Sequence, residues 1–142
     1  MTIYADSSFF VSLLLIDRHS QEAWRRMSSR PEVWLTPLNR AEICHAAFLH
    51  VFWKKATLVE AESALLVLDR DCVAGIWHQV SFPVETFVRS TGLTRRYGPT
   101  LGVRTLDSLH VACALELKAQ RFWTFDERQA RLAEAVGLDT TP

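Results

Sequence analysis

The sequence predicts an α/β protein with a central parallel sheet and helices on both faces. Three observations carry that expectation. Short apolar runs of strand length occur at Thr2–Ala5, Val33–Thr36, Ile76–Val80 and Arg121–Thr124. Stretches with helical periodicity separate each run from the next, the alternation that builds parallel sheets. Acidic residues then follow strand ends or open helices, on the sheet edge where such folds bind ligands.

Taken in order, Thr2 to Ala5 reads as a buried strand, and Ser7 or Ser8 can cap a helix carrying Phe9, Phe10, Val11 and Leu13 to Leu15. A polar amphipathic helix through Gln21–Met27 leads past Arg30 and Pro31 to the second strand. Beyond Pro37, Asn39 is the expected cap of a helix reaching about Lys55, which places Glu42 in the first turn. Thr57 caps a further helix to Asp71, where Leu58, Ala61, Ala64, Leu65 and Leu68 form one apolar stripe. The third strand follows, then a helix from Pro83 with Val84, Phe87 and Val88. From Gly92 to Thr105 the chain reads as a mobile basic loop, because Gly98, Pro99 and Gly102 punctuate Arg95, Arg96 and Arg104. Thr105 caps a helix over Leu106–Leu117, and a last helix from Glu127 to Val136 stops at Gly137.

At 142 residues and 49% apolar content the chain has the size and material for one full core, so a single domain over 1–142 is expected. Sixteen basic residues balance sixteen acidic ones, so no overall field draws the protein to a polyanion, and any such site must be local. The apolar run Phe9 to Ile16 is too short to span a bilayer, and with no basic leader before it neither a membrane span nor a secretory signal is expected. Cys44, Cys72 and Cys113 are odd in number and lack ligand spacing, which favours buried, reduced thiols in a cytoplasmic protein.

Asp6, Glu42, Asp107 and Asp126 each stand beside a strand or helix boundary within an apolar stretch. Singly, each has an ordinary explanation as a helix cap or a first-turn acid. Their conjunction on one sheet edge is different. Bare carboxylates about 5 Å apart repel by roughly 3 kcal/mol per pair at an effective dielectric of ~20, and a bound cation is the natural remedy. Oxygen donors without His or Cys suit Mg²⁺, with Mn²⁺ also acceptable, rather than zinc. A haloacid-dehalogenase-like phosphatase would need a second acid where Ser8 stands, and a receiver domain would need adjacent early acids that are missing.

The segments Tyr4-Ala5-Asp6-Ser7-Ser8, Asn39-Arg40-Ala41-Glu42, Leu106-Asp107-Ser108-Leu109-His110-Val111-Ala112 and Trp123-Thr124-Phe125-Asp126-Glu127-Arg128-Gln129 together resemble the PIN-domain family. Within it, the chain is most similar to the small VapC-type ribonuclease toxins of toxin–antitoxin pairs. The likeness spans nearly the whole length, and its specificity lies in the set of motifs and not in any one. It implies a PIN-like three-layer α/β/α sandwich with a central parallel sheet, and a Mg²⁺-dependent endoribonuclease in which Asp6, Glu42, Asp107 and Asp126 are the catalytic, metal-binding acids. Ser8 and Thr124 are secondary polar candidates, since hydroxyls beside such acids can hold water. Further implications are an RNA substrate, a cognate antitoxin and a homodimer; the alternative is a non-catalytic PIN-like module that binds RNA or protein.

An acidic site repels RNA, so Arg40, Arg95, Arg96 and Arg104 are the candidates for holding phosphates near it. His110, one turn after Asp107, reads as a satisfied structural histidine or as a group orienting that carboxylate. His45 and His50 are not spaced as a metal pair. The five Trp residues read as core or dimer contacts, with Trp53 or Trp77 able to stack on a base if exposed. Lys54-Lys55 and Arg25-Arg26 read as solvated faces.

Overall fold

Four short parallel strands, β1 (Thr2–Ala5), β2 (Glu32–Leu35), β3 (Trp77–Gln79) and β4 (Arg121–Trp123), make one sheet in the order β3-β2-β1-β4. A computed structural model describes all 142 residues. The register sets Ile3 beside Val33 on one side and Arg121 on the other, and Val33 beside Trp77. Seven helices connect and flank the strands: α1 (Ser7–Leu14), α2 (Ser20–Met27), α3 (Pro37–Phe52), α4 (Leu58–Val73), α5 (Thr86–Leu101), α6 (Thr105–Glu116) and α7 (Glu127–Ala135).

The three layers follow from the strand order. The first two crossovers step outward from β1 to β2 and β3, whereas the third returns past β1 to β4. Because crossovers between parallel strands are right-handed, reversing direction transfers the connecting helices to the opposite face. Period-two alternation supplies both faces with apolar side chains. Ile3, Val33 and Trp77 pack with Phe9, Phe10, Ala23, Ile43 and Leu68 from α1–α4, while Tyr4 and Phe122 pack with Leu93, Val111 and Leu132 from α5–α7. Phe9, Phe10 and Phe122 are fully buried, each contributing about 1.5–3 kcal/mol relative to exposure.

Several helix starts differ from expectation. Asp6, not Ser7 or Ser8, caps α1, accepting the Phe9 N–H at 3.2 Å. Thr36, not Asn39, caps α3: its hydroxyl accepts the Asn39 N–H at 3.2 Å, and Asn39 Oδ1 accepts the Thr36 N–H at 2.9 Å. Pro37 is the first helical residue, where its missing N–H costs nothing, and Glu42 consequently lies beyond the first turn. Arg104, not Thr105, is the residue before α6, and its backbone N–H is taken by Asp107.

The largest correction concerns Gly92 to Thr105. Almost all of that stretch is helical: α5 runs to Leu101, leaving only residues 102–104 as a connection. Glycine and proline cost about 1 and 3 kcal/mol in a helix interior. A stripe of Leu93, Tyr97 and Leu101 packed into the second core offsets that cost, helped by a buried 2.7 Å bond between the hydroxyls of Ser90 and Ser108. Gly102 ends the helix with φ of +61°, a conformation that favours glycine, and returns its N–H to the Gly98 carbonyl at 3.0 Å. Arg95 and Arg96 are therefore fixed on a helix.

Of the thiols, only Cys113 is buried; Cys44 is exposed and Cys72 half-buried, because α3 and α4 turn those positions partly outward. Burial pushes the Cys113 thiol up to about 11. Trp77 and Trp123 belong to the core, while Trp24 and Trp53 are half exposed. No helix is long and apolar enough to cross a membrane.

Candidate active site

Between β1 and β4 the connections leave in opposite senses, which makes their carboxyl ends the topological switch point of the sheet. Asp6 follows β1 and Asp126 caps α7 just after β4. Helices α3 and α6 bring Glu42 and Asp107 to the same place. All four acids, with Ser8 and Arg104, line one cleft of about 400 Å³.

Asp6 is almost fully buried, and protein donors hold both of its oxygens. The Ser8 hydroxyl donates to Oδ1 at 2.6 Å, and the Thr124 hydroxyl to Oδ2 at 2.8 Å. Each hydroxyl also accepts a backbone N–H, from Phe125 at 3.1 Å and Asp126 at 2.9 Å, so the two side chains tie the end of β1 to the turn after β4. Burial raises the Asp6 carboxyl above its ordinary range, partly countered by the positive influence of His110 and by these hydroxyls.

Glu42 accepts the Ser7 hydroxyl at 2.8 Å and is hydrogen-bonded to Nε2 of buried His110. Both contacts fall on Oε1, which leaves Oε2 for a ligand. Burial raises the carboxyl, but the His110 bond and charge and the Ser7 bond outweigh it, so the net shift is downward. His110 Nδ1 meets the Tyr4 hydroxyl at 2.8 Å. Burial first, and the nearby Cys113 next, hold the Tyr4 phenol far above its ordinary value, so it stays a neutral hydroxyl against Nδ1 while Nε2 faces Glu42.

Asp107 and Asp126 share a counter-charge. Arg104 donates from Nε to Asp107 Oδ2 and from Nη2 to Asp107 Oδ1, both at 3.0 Å, and Nη2 also reaches Asp126 Oδ2 at 2.8 Å. The Asp107 bond, then its charge, raises the guanidinium above its usual value. Asp126 Oδ1 accepts the N–H groups of Arg128 and Gln129 at 2.9 and 3.1 Å as a helix cap. Gln129 Nε2 lies 3.4 Å from Asp107 Oδ1, and its Oε1 is buried without a partner.

Of the expected residues, Asp6, Ser8, Glu42, Arg104, Asp107 and Asp126 meet in the cleft, and Thr124 braces Asp6. Arg40 does not. It pairs with Asp69 at 2.6 Å and reaches Gln79, alongside the ends of β2 and β3, because its place on α3 turns it toward α4. Arg95 and Arg96 are on α5, with Arg96 lining a separate groove between α5, α6 and α7. Sequence reasoning missed Ser7, Gln129 and the Glu42 partner of His110. Only the short interval from Asp6 to Ser7, and the helical spacing from Asp126 to Gln129, hinted at the first two.

The donors fit a hard divalent cation in kind: carboxylate oxygens with hydroxyls beside them. Their present arrangement is closed around Arg104 and His110, and no three His, Cys, Asp or Glu side chains converge so as to hold an ion.

Such a cleft on a β3-β2-β1-β4 parallel sheet defines an acidic-site α/β protein, and the PIN domain family profile matches residues 3–135. The chain belongs to the PIN domain family. Similar solved structures include the sarcin–ricin loop cleaving toxin VapC20 of Mycobacterium tuberculosis, with TM-score 0.72 and 16% identity over 98% of both chains. VapBC2 from Rickettsia felis, bound to promoter DNA, gives 0.67 and 14% over 99% of this chain and 98% of that one. FitAcB from Neisseria gonorrhoeae gives 0.65 and 16% over 99% and 96%. At these identities the likeness is one of fold. A comparison with curated protein sequences finds no match.

Proposed function

We propose that this protein is a Mg²⁺-dependent endoribonuclease, with Mn²⁺ an acceptable substitute, acting in the cytoplasm as the toxin of a type II toxin–antitoxin pair. The observation that carries the reading is that Asp6, Glu42, Asp107 and Asp126, from four separate parts of the chain, line one cleft at the switch point. Family membership and the fold shared with VapC20 support it. The VapBC pair among the similar structures supports a cognate antitoxin. Exposed apolar side chains such as Val84, Phe87 and Val88 on and before α5 suit a homodimer contact.

Asp6, Glu42, Asp107 and Asp126 would hold the cation. When bound, it supplies charge that polarises the scissile phosphate and acidifies the attacking water. The remaining work belongs to the chain. Ser8 and Thr124 fix the Asp6 carboxylate, His110 and Ser7 fix Glu42, and Arg104 carries the positive charge that the phosphodiester backbone needs beside four acids.

Purified protein should cleave single-stranded RNA with Mg²⁺ and stop with EDTA, while Asp6→Asn and Asp107→Asn fold but do not cleave. Full cleavage by either variant without excess metal sinks the nuclease reading. One observation favours a second reading: Arg104 already bridges Asp107 and Asp126 and offsets one of their two charges, which suits a binding module that holds no cation. RNA or protein binding without cleavage in the same assay would select it.

A further inference from the structure

We propose that Arg104 is a tethered counter-ion that the divalent cation must displace, so that metal binding and the Arg104–Asp107–Asp126 bridge exclude each other. This rests on the metal-dependent reading above. One guanidinium nitrogen, Nη2, spans Asp107 Oδ1 and Asp126 Oδ2 at 3.0 and 2.8 Å, placing a positive charge between acids from two different elements. Apart from Arg104, Asp126 Oδ2 has no partner and Asp107 Oδ1 has only the Gln129 amide at 3.4 Å, so the guanidinium occupies the oxygens otherwise left for a ligand. A guanidinium and a dication cannot both stand there, since each is repelled by the other at contact distance.

The bridge can open without disturbing the fold. With the guanidinium gone, Asp126 Oδ1 keeps the Arg128 and Gln129 N–H groups, and Asp107 Oδ2 keeps the backbone N–H of residue 104. Nothing else in the acid cluster depends on the Arg104 side chain: Asp6 is held by Ser8 and Thr124, and Glu42 by Ser7 and His110. The side chain is 60% exposed and sits in the 102–104 connection, so rotation of its own bonds is enough to release it. Released, it stays on the rim of the cleft, where a phosphate can replace the carboxylates as its partner. The same residue thus restrains the metal-free protein and serves substrate in the loaded one.

Mn²⁺ is titrated calorimetrically into wild type, Arg104→Gln, Arg104→Lys and, as a charge control outside the cleft, Arg40→Gln. Arg104→Gln should bind Mn²⁺ about tenfold more tightly than wild type, because the three guanidinium bonds, to Asp107 and Asp126, no longer have to be exchanged for the cation. Arg104→Lys keeps the charge without the fork and should fall between; Arg40→Gln should match wild type. Independently of any variant, the Nε–H proton of Arg104 in ¹⁵N NMR should be protected from exchange in EDTA and lose that protection as Mg²⁺ saturates. Equal or weaker affinity in Arg104→Gln, or an Nε–H signal untouched at saturation, overturns the displacement while leaving the nuclease reading in place. Absence of metal binding in every protein overturns both.

Discussion

His110 is hydrogen-bonded to Glu42, not to Asp107 one turn before it on its own helix. The Tyr4 hydroxyl completes that chain from the opposite side of the ring at 2.8 Å. Tyr4→Phe should therefore leave a buried ring nitrogen unpaired and cost about 1–3 kcal/mol. Glu42 keeps its Ser7 donor, so cleavage at saturating Mg²⁺ should fall less than in Glu42→Gln. Urea denaturation and single-turnover cleavage together check this; unchanged stability would mean water replaces the phenol.

Amide replacements should separate structure from chemistry. Asp6→Asn, Glu42→Gln, Asp107→Asn and Asp126→Asn are each expected to lose RNA cleavage, with Asp6 and Asp107 the most sensitive. In EDTA, Asp107→Asn should be the most destabilised, by about 1–3 kcal/mol, because it gives up a forked, charge-assisted pair. If all four melt alike while cleavage persists, the acids are caps only.

Metal should stabilise the fold. A ligand at a hundred times its dissociation constant adds about 2.7 kcal/mol. Thermal melts in EDTA and in excess Mg²⁺ should differ accordingly, and coincident curves would count against a cation site.

Acid should weaken one brace of the β4 end. Arg25 and then Arg26 donate to Glu22, which they hold at about 2 against an ordinary 4.5. Arg26 in turn lies 5.3 Å over the ring of Phe125, next to Asp126. A lowered carboxyl contributes stability above its unfolded value, and that contribution is lost as pH falls toward the folded one. Wild type should thus exceed Glu22→Gln in stability at pH 6, with the gap closing between pH ~4.5 and ~2. The pair is partly exposed, so solvent keeps the gap small. A gap that does not vary with pH would remove Glu22 as its source.

Arg95→Ala with Arg96→Ala should reduce the salt dependence of RNA binding, by about 0.7 in log–log slope for each phosphate of a single strand that the pair neutralises. Both side chains are exposed on α5, so the melt should scarcely change. An unchanged slope would confine RNA to the rim near Arg104.

Much of the architecture was legible because local signals agreed with it. Thr57 with Glu60 forms the cap that begins α4, and Gly137 with φ of +87° follows the last helix. Gly98 and Pro99 misled, since local punctuation carries no information about a stripe whose partners lie on α6 and α7. Asn39 looked like a cap because it belongs to a reciprocal pair with Thr36, and sequence alone does not say which member stands outside the helix. The acids were visible one by one at element starts. Their partners were not: the Glu42–His110 contact and the Arg104 fork depend on where α3, α6 and α7 pack, and Arg40, equally basic and equally near an acid in sequence, turns elsewhere.

The strand order also dictates when a working cleft can exist. Asp6 and its brace Thr124 lie 118 positions apart, and β1 gains one of its two neighbours only when β4 arrives. Closing so long an interval is slow compared with local helix formation. A chain still on the ribosome after α6 carries Asp6, Glu42 and Asp107 but neither Thr124 nor Asp126. The cleft is therefore completed by the docking of β4: until it pairs with β1, Asp6 lacks the Thr124 hydroxyl and the acid cluster lacks Asp126.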